Sequence, residues 1–146
     1  FRFEKMRFAA LVLVLVVAHC GHGAMTDKQM KAALRLIKNA CVPKSKVTEE
    51  LIDEMHKGNF DLDKTAMCYM HCVLNYYKLQ LPDNSFDWQT GLKLMETQAP
   101  ASIVEYGIGA INACKDSVKS PGEKCRAAME IARCMYEFDP QKYFLP

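Results

Sequence analysis

An all-α fold is predicted for this chain: a compact bundle of about six helices stapled by three disulfides around an apolar cavity. Three observations predict the helices and their staples. Apolar residues recur at helical spacing between cap and breaker residues, and no stretch sustains the alternation of a half-buried strand. Six of the seven cysteines fall beyond residue 23, in the part of the chain that follows an N-terminal apolar segment. That even number, in a segment of this size, reads as a disulfide framework.

Residues 1–23 read as upstream residues plus a secretory signal. Met6-Arg7 opens a basic region, and Phe8 to Ala18 is an unbroken apolar run. That run is too short to span a bilayer and suits the centre of a cleaved signal. Cleavage after Gly23 makes residues 24–146 the mature domain, with cleavage after Cys20 as the alternative. The whole chain carries 19 Lys plus Arg against 17 Asp plus Glu, and Arg2, Lys5, Arg7 and Glu4 lie in the first 23 residues. The mature domain is therefore neutral overall. A neutral balance argues against nucleic acid or an anionic membrane face as partner, and no stable membrane insertion is expected.

The helices follow in order. Thr26 with Gln29 forms a capping-box pattern, and Met30, Leu34, Ile37 and Cys41 share one face until Pro43 stops the helix. Thr48, Glu49 and Glu50 start a second helix with Leu51, Ile52 and Met55 inward and Gly58 as its stop. Asp63 caps a third helix running through Lys78, with Met67, Cys68, Cys72 and Tyr76. Pro82 to Ser85 is a turn, and a fourth helix from Asp87 presents Leu92 and Met95. Beyond Pro100, Ser102 with Glu105 predicts a second capping box, for a helix holding Ile103, Ile108, Ile111 and Cys114. Gly107 and Gly109 weaken that helix and permit close packing or approach of a ligand. A sixth helix runs from Glu123 to about Phe138, and Asp139-Pro140 releases a tail ending Tyr-Phe-Leu-Pro.

Catalysis finds few candidates. Two histidines remain in the mature domain, His56 and His71, and no nucleophile elbow, zinc-protease motif or Gly-rich phosphate loop is present. His56 reads as a solvated helix residue, or at most a modest contributor to a pH response. Cys68, His71 and Cys72 lack a fourth metal ligand, and secretion favours oxidised thiols. No metal, no cofactor and no enzymatic activity are expected.

The six cysteines are Cys41, Cys68, Cys72, Cys114, Cys125 and Cys134, separated by 26, 3, 41, 10 and 8 residues. Spacing alone permits fifteen pairings. The pattern resembles the six-cysteine insect odorant-binding proteins, in which three residues separate the second and third cysteines and eight the fifth and sixth. The resemblance covers the mature chain and implies the pairs Cys41–Cys72, Cys68–Cys125 and Cys114–Cys134. It implies a secreted carrier of small hydrophobic odorants or pheromones, moving them through aqueous lymph to olfactory receptors, with pH-dependent release. The implied partners are a hydrophobic ligand (an odorant, a pheromone or a long-chain alcohol or ester) and an olfactory receptor, and a homodimer is compatible with both. Helical face and family position together suggest a pocket of Met30, Leu34, Ile37, Leu92, Met95, Ile103, Ile108, Ile111, Met135, Tyr143 and Phe144, with Trp88 and Phe86 as additions. The tail looks like that of antennal members whose C-terminus closes the pocket, held by a latch at positions matching Lys38, Tyr69 and Pro146. Lys38 stands where some relatives have arginine. Two rivals stay open from sequence: a scavenger of hydrophobes without an olfactory role, and a secreted helical ligand for a receptor.

Overall fold

The computed structural model describes residues 23–146, so the signal segment falls almost wholly outside the described residues. Among the described residues six helices follow one another: α1 (Asp27–Ser45), α2 (Glu49–His56), α3 (Lys64–Tyr76), α4 (Trp88–Gln98), α5 (Ala101–Ala113) and α6 (Lys124–Phe138). A short 3-10 turn at Pro140–Lys142 leads into the extended tail. The described residues hold no strand beyond one isolated antiparallel bridge between Gln80 and Phe86.

Four helices begin where their cap residues predict. Thr26 and Gln29 satisfy each other's backbone N–H groups in a complete capping box. Thr48, Asp63 and Asp87 each accept a first-turn N–H. Three boundaries differ from the sequence reading, and one is the end of α3, at Tyr76 instead of Lys78, whose backbone is left-handed (φ 55°). α1 continues through Pro43 to Ser45, because in the last turn the proline forfeits only the one bond its missing N–H would make. The helix ends instead at Lys46, whose left-handed backbone (φ 62°) lets its N–H reach the Val42 carbonyl at 2.9 Å. α5 starts at Ala101, with Pro100 at its N-cap and no side-chain cap. Ser102 donates its hydroxyl to the Asp27 carboxylate instead, tying α5 to the start of α1.

α3 is the centre of the bundle. Tyr69, Met70, Val73 and Leu74 are fully buried along it, and it packs most extensively against α6 and then α1. Ala127, Ala128 and Ala132 on α6 are also fully buried, and their small side chains let the two helices approach closely. Tyr76, expected inward with the cysteines, is half exposed and lies under the Lys44 ammonium, 5.6 Å from its ring centre.

The three disulfides are Cys41–Cys72, Cys68–Cys125 and Cys114–Cys134. The first two anchor α3 on either side, to α1 and α6, and the third joins the end of α5 to α6. Cys68 and Cys72 are consumed in these bridges, which leaves His71 without thiolate partners; its ring bonds Gln80 and Asn75.

Candidate functional site

Between α1, α4, α5 and α6 the apolar faces do not meet completely, and a cavity of about 60 Å³ remains. Met30 and Leu34 of α1 form one wall, with Met25 just before the helix. Gly91, Leu94, Met95 and Gln98 of α4, then Ala99, form the second. Ile103 and Ile111 come from α5, Met135 from α6, and Tyr77 and Leu79 from the turn after α3. Phe144 and Leu145 of the tail complete the lining. Four of these side chains are methionines, unbranched thioethers that change shape at small cost.

Met30, Leu34, Met95, Ile103, Ile111, Met135 and Phe144 therefore meet at this cavity, as the sequence reading groups them. Ile37, Leu92, Ile108 and Tyr143 do not reach it. Leu92 and Ile108 follow Gly91 and Gly107 by one residue, about 100° further round their helices. Both are half buried away from the hollow. Ile37 is buried in the solid core beyond Leu34. Tyr143 turns the other way from Phe144, as successive side chains do in extended backbone, and its ring meets those of His56, Phe60 and Tyr136 edge-on. Phe86 is buried in the core, and Trp88 stacks under the Lys115 ammonium at 4.1 Å; neither lines the cavity.

Sequence reasoning missed Met25, Tyr77, Leu79, Gly91, Leu94, Gln98, Ala99 and Leu145. The i, i+3, i+4, i+7 spacing of Gly91, Leu94, Met95 and Gln98 is a usable signal for α4. Tyr77 and Leu79 carry none, because they are aimed inward by Lys78 in a left-handed conformation (φ 55°).

The tail is fastened by backbone acceptors. Tyr69 donates its hydroxyl to the Pro146 oxygen at 2.8 Å. Burial, and then the nearby Glu49 charge, push the Tyr69 hydroxyl well above the usual tyrosine range, so it is a neutral donor throughout the physiological range. His56 is an exposed helix residue, as the sequence predicts, and it has a partner as well: Nε2 lies 2.9 Å from the Leu145 carbonyl oxygen and donates to it in the Nε2–H tautomer. Lys38 does not join this latch. Its ammonium bonds Glu49 at 2.6 Å, an exposed pair formed because α2 begins with a carboxylate beside α1. Tyr106 locks α5 to α6 by donating to the Met135 carbonyl at 2.8 Å. Burial, with the Asp139 charge, pushes its pKa up to about 12. No helix among the described residues is long and apolar enough to cross a membrane.

Comparison with known proteins gives one consistent answer. Residues 23–138 match the PBP/GOBP family. General odorant-binding protein 19a of Drosophila melanogaster is 31% identical over 133 residues, covering 86% of this chain and 90% of its own. General odorant-binding protein 72 of Anopheles gambiae is 25% identical over 121 residues, covering 83% and 99%. Among solved structures, odorant binding protein 4 of Chrysopa pallens superposes with a TM-score of 0.76 at 38% identity, covering 84% of this chain and 99% of its own. Odorant binding protein 5 of Apis mellifera has the same TM-score and coverage at 27% identity. With this family match, these helices and these three disulfides, the chain belongs to the PBP/GOBP family of insect odorant-binding proteins, which are carriers of small hydrophobic ligands and not enzymes.

Proposed function

We propose that this protein binds small hydrophobic odorants or pheromones reversibly in the cavity between α1, α4, α5 and α6 and carries them through aqueous lymph to olfactory receptors. The observation that carries the reading is the apolar hollow whose lining includes Phe144 and Leu145 of the tail. Water gains little there, since no charged side chain is among its lining, whereas an apolar guest gains about 25 cal/mol per Å² of surface removed from water. At about 60 Å³ the resting hollow has room for only a few waters. Longer guests enter as Met25, Met30, Met95 and Met135 turn aside. Residues 1–23, read as a cleaved secretory signal, deliver the domain to that lymph.

Release belongs to the same reading. The Tyr69 hydroxyl and His56 Nε2 hold the tail at the Pro146 and Leu145 oxygens, and opening of this tail in acid is the release step of the proposal. Displacement of a fluorescent hydrophobic probe by long-chain alcohols, esters and terpenoids, at neutral and at acidic pH, tests both parts. Displacement by some of these guests, weaker in acid, is expected, and removal of Leu145 and Pro146 should abolish most of the pH difference. No displacement by any of them would favour a secreted ligand for a protein receptor instead.

A further inference from the structure

Gly107 lies inside α5 with ordinary helical backbone, so no turn or positive φ requires a glycine there. What its missing side chain provides is space. A Cβ at this position would stand 2.2 Å from Met95 Sδ and 2.9 Å from its Cγ, far inside van der Waals contact. The thioether of Met95 therefore lies in a recess on α5 that any other residue would fill. Met95 lines the cavity and Gly107 does not, so the side chain covers the recess and forms the wall above it.

We infer that Gly107 sets the length of guest this cavity accepts, by holding the Met95 thioether out of the guest's space. The inference rests on the carrier reading above. With alanine at 107 the clash falls on Sδ and Cγ of an unbranched, flexible side chain, which must leave the recess as a whole. The hollow beside it is the free space the side chain already borders. In a hollow of about 60 Å³ the displaced S–CH3 group takes room a guest would use. It has the bulk of about two methylenes, each worth about fourfold in affinity, so guests that fill the native hollow should bind about 15-fold more weakly.

Gly109 supplies the control. A Cβ there would meet the Phe138 ring at 2.7 Å, on a part of α5 that does not border the cavity. The test measures displacement of a fluorescent naphthylamine probe by a homologous series of linear primary alcohols, with folding checked by circular dichroism. Gly107→Ala should move the best-bound alcohol to a shorter chain, Met95→Ala should move it to a longer one, and the double variant should regain the long guests. Gly109→Ala should leave the length profile where it is. The double variant relieves the clash, so it remains informative if Gly107→Ala alone folds poorly. A Gly107→Ala profile equal to wild type, or a loss that Met95→Ala does not relieve, overturns the inference alone. Wild-type protein that binds no alcohol of the series overturns the carrier reading and this inference with it.

Discussion

Removing the bridge between Cys114 and Cys134 should cost more free energy than the cavity does, and the structure supplies both magnitudes. The bridge closes a loop with a sequence separation of 20, for which lost chain entropy in the unfolded state is worth about 3.3 kcal/mol at 25 °C. The hollow of about 60 Å³, at about 24 cal/mol per Å³, costs about 1.4 kcal/mol. The other two loops, with separations of 31 and 57, give about 3.7 and 4.2 kcal/mol on the same relation. Each covalent closure thus outweighs the empty space by itself, which is how so small a bundle tolerates a vacancy between α1, α4, α5 and α6. Paired substitution Cys114→Ala and Cys134→Ala should lower the unfolding free energy by about 3 to 4 kcal/mol, read from guanidinium unfolding with m fitted separately for each protein, because the released chain exposes more surface when unfolded. Ala99→Val should give about 1 kcal/mol back by filling the hollow, since Ala99 lines it from extended backbone (φ −71°, ψ 145°) that suits a β-branched residue. The same valine should weaken guest binding. A bridge-less protein that loses less than the cavity's about 1.4 kcal/mol, or a valine that changes neither stability nor binding, would refute this account.

Three further outcomes follow from the same geometry. Tyr69→Phe strips the Pro146 oxygen of its buried donor, a loss of about 1 kcal/mol that should speed exchange of bound probe about fivefold in stopped-flow measurements. Lys38→Met removes only an exposed pair with Glu49, so it should shift stability by less than about 0.5 kcal/mol and leave guest affinity unchanged. Glu130 governs an acid response. Burial alone would raise its pKa, but the Lys119 and Ser120 N–H groups, the Ser120 hydroxyl and the Arg126 charge outweigh that and hold it below the usual glutamate range. Its contribution is complete above the ordinary glutamate pKa and lost as pH falls through the depressed one. Glu130→Gln should therefore lower stability by about 1 kcal/mol at neutral pH, after allowing for solvent screening, and flatten the acid limb of the thermal midpoint against pH.

Local chemistry was legible in the sequence wherever one short segment decides the outcome. Thr26 with Gln29, Thr48, Asp63 and Asp87 start helices because the orphan N–H groups they satisfy lie within three residues. The same logic misled at Ser102, whose hydroxyl finds Asp27, 75 residues away, in place of its own helix. Lys38 fails for the same reason: its position relative to Cys41 matches a latch, but Glu49 on the neighbouring helix is the carboxylate it meets. At Pro43 the rule that proline ends a helix ignored position, for near a C-terminus the missing N–H removes only one bond.

The cavity demanded more than periodicity supplies. Helical spacing identifies an apolar face to within a residue, and one residue is about 100° of rotation, enough to exchange Leu92 for Gly91 or Leu94. A hollow is also defined by where side chains are absent, so its walls include Gly91 and Ala99, which no count of large apolar residues selects. Tyr77 and Leu79 enter it only because the chain reverses at Lys78, and Leu145 only because Tyr69 and His56 hold the tail across the opening. An apolar stripe shows which residues leave water, whereas a binding site is the place where those stripes, once stapled, fail to fill the space between them. That difference is set by backbone separation. Here α3 and α6, joined through Cys68–Cys125, close tightly on Ala127, Ala128 and Ala132. The shortfall in packing falls instead on α1, α4 and α5, where methionines line the space and yield to whatever enters.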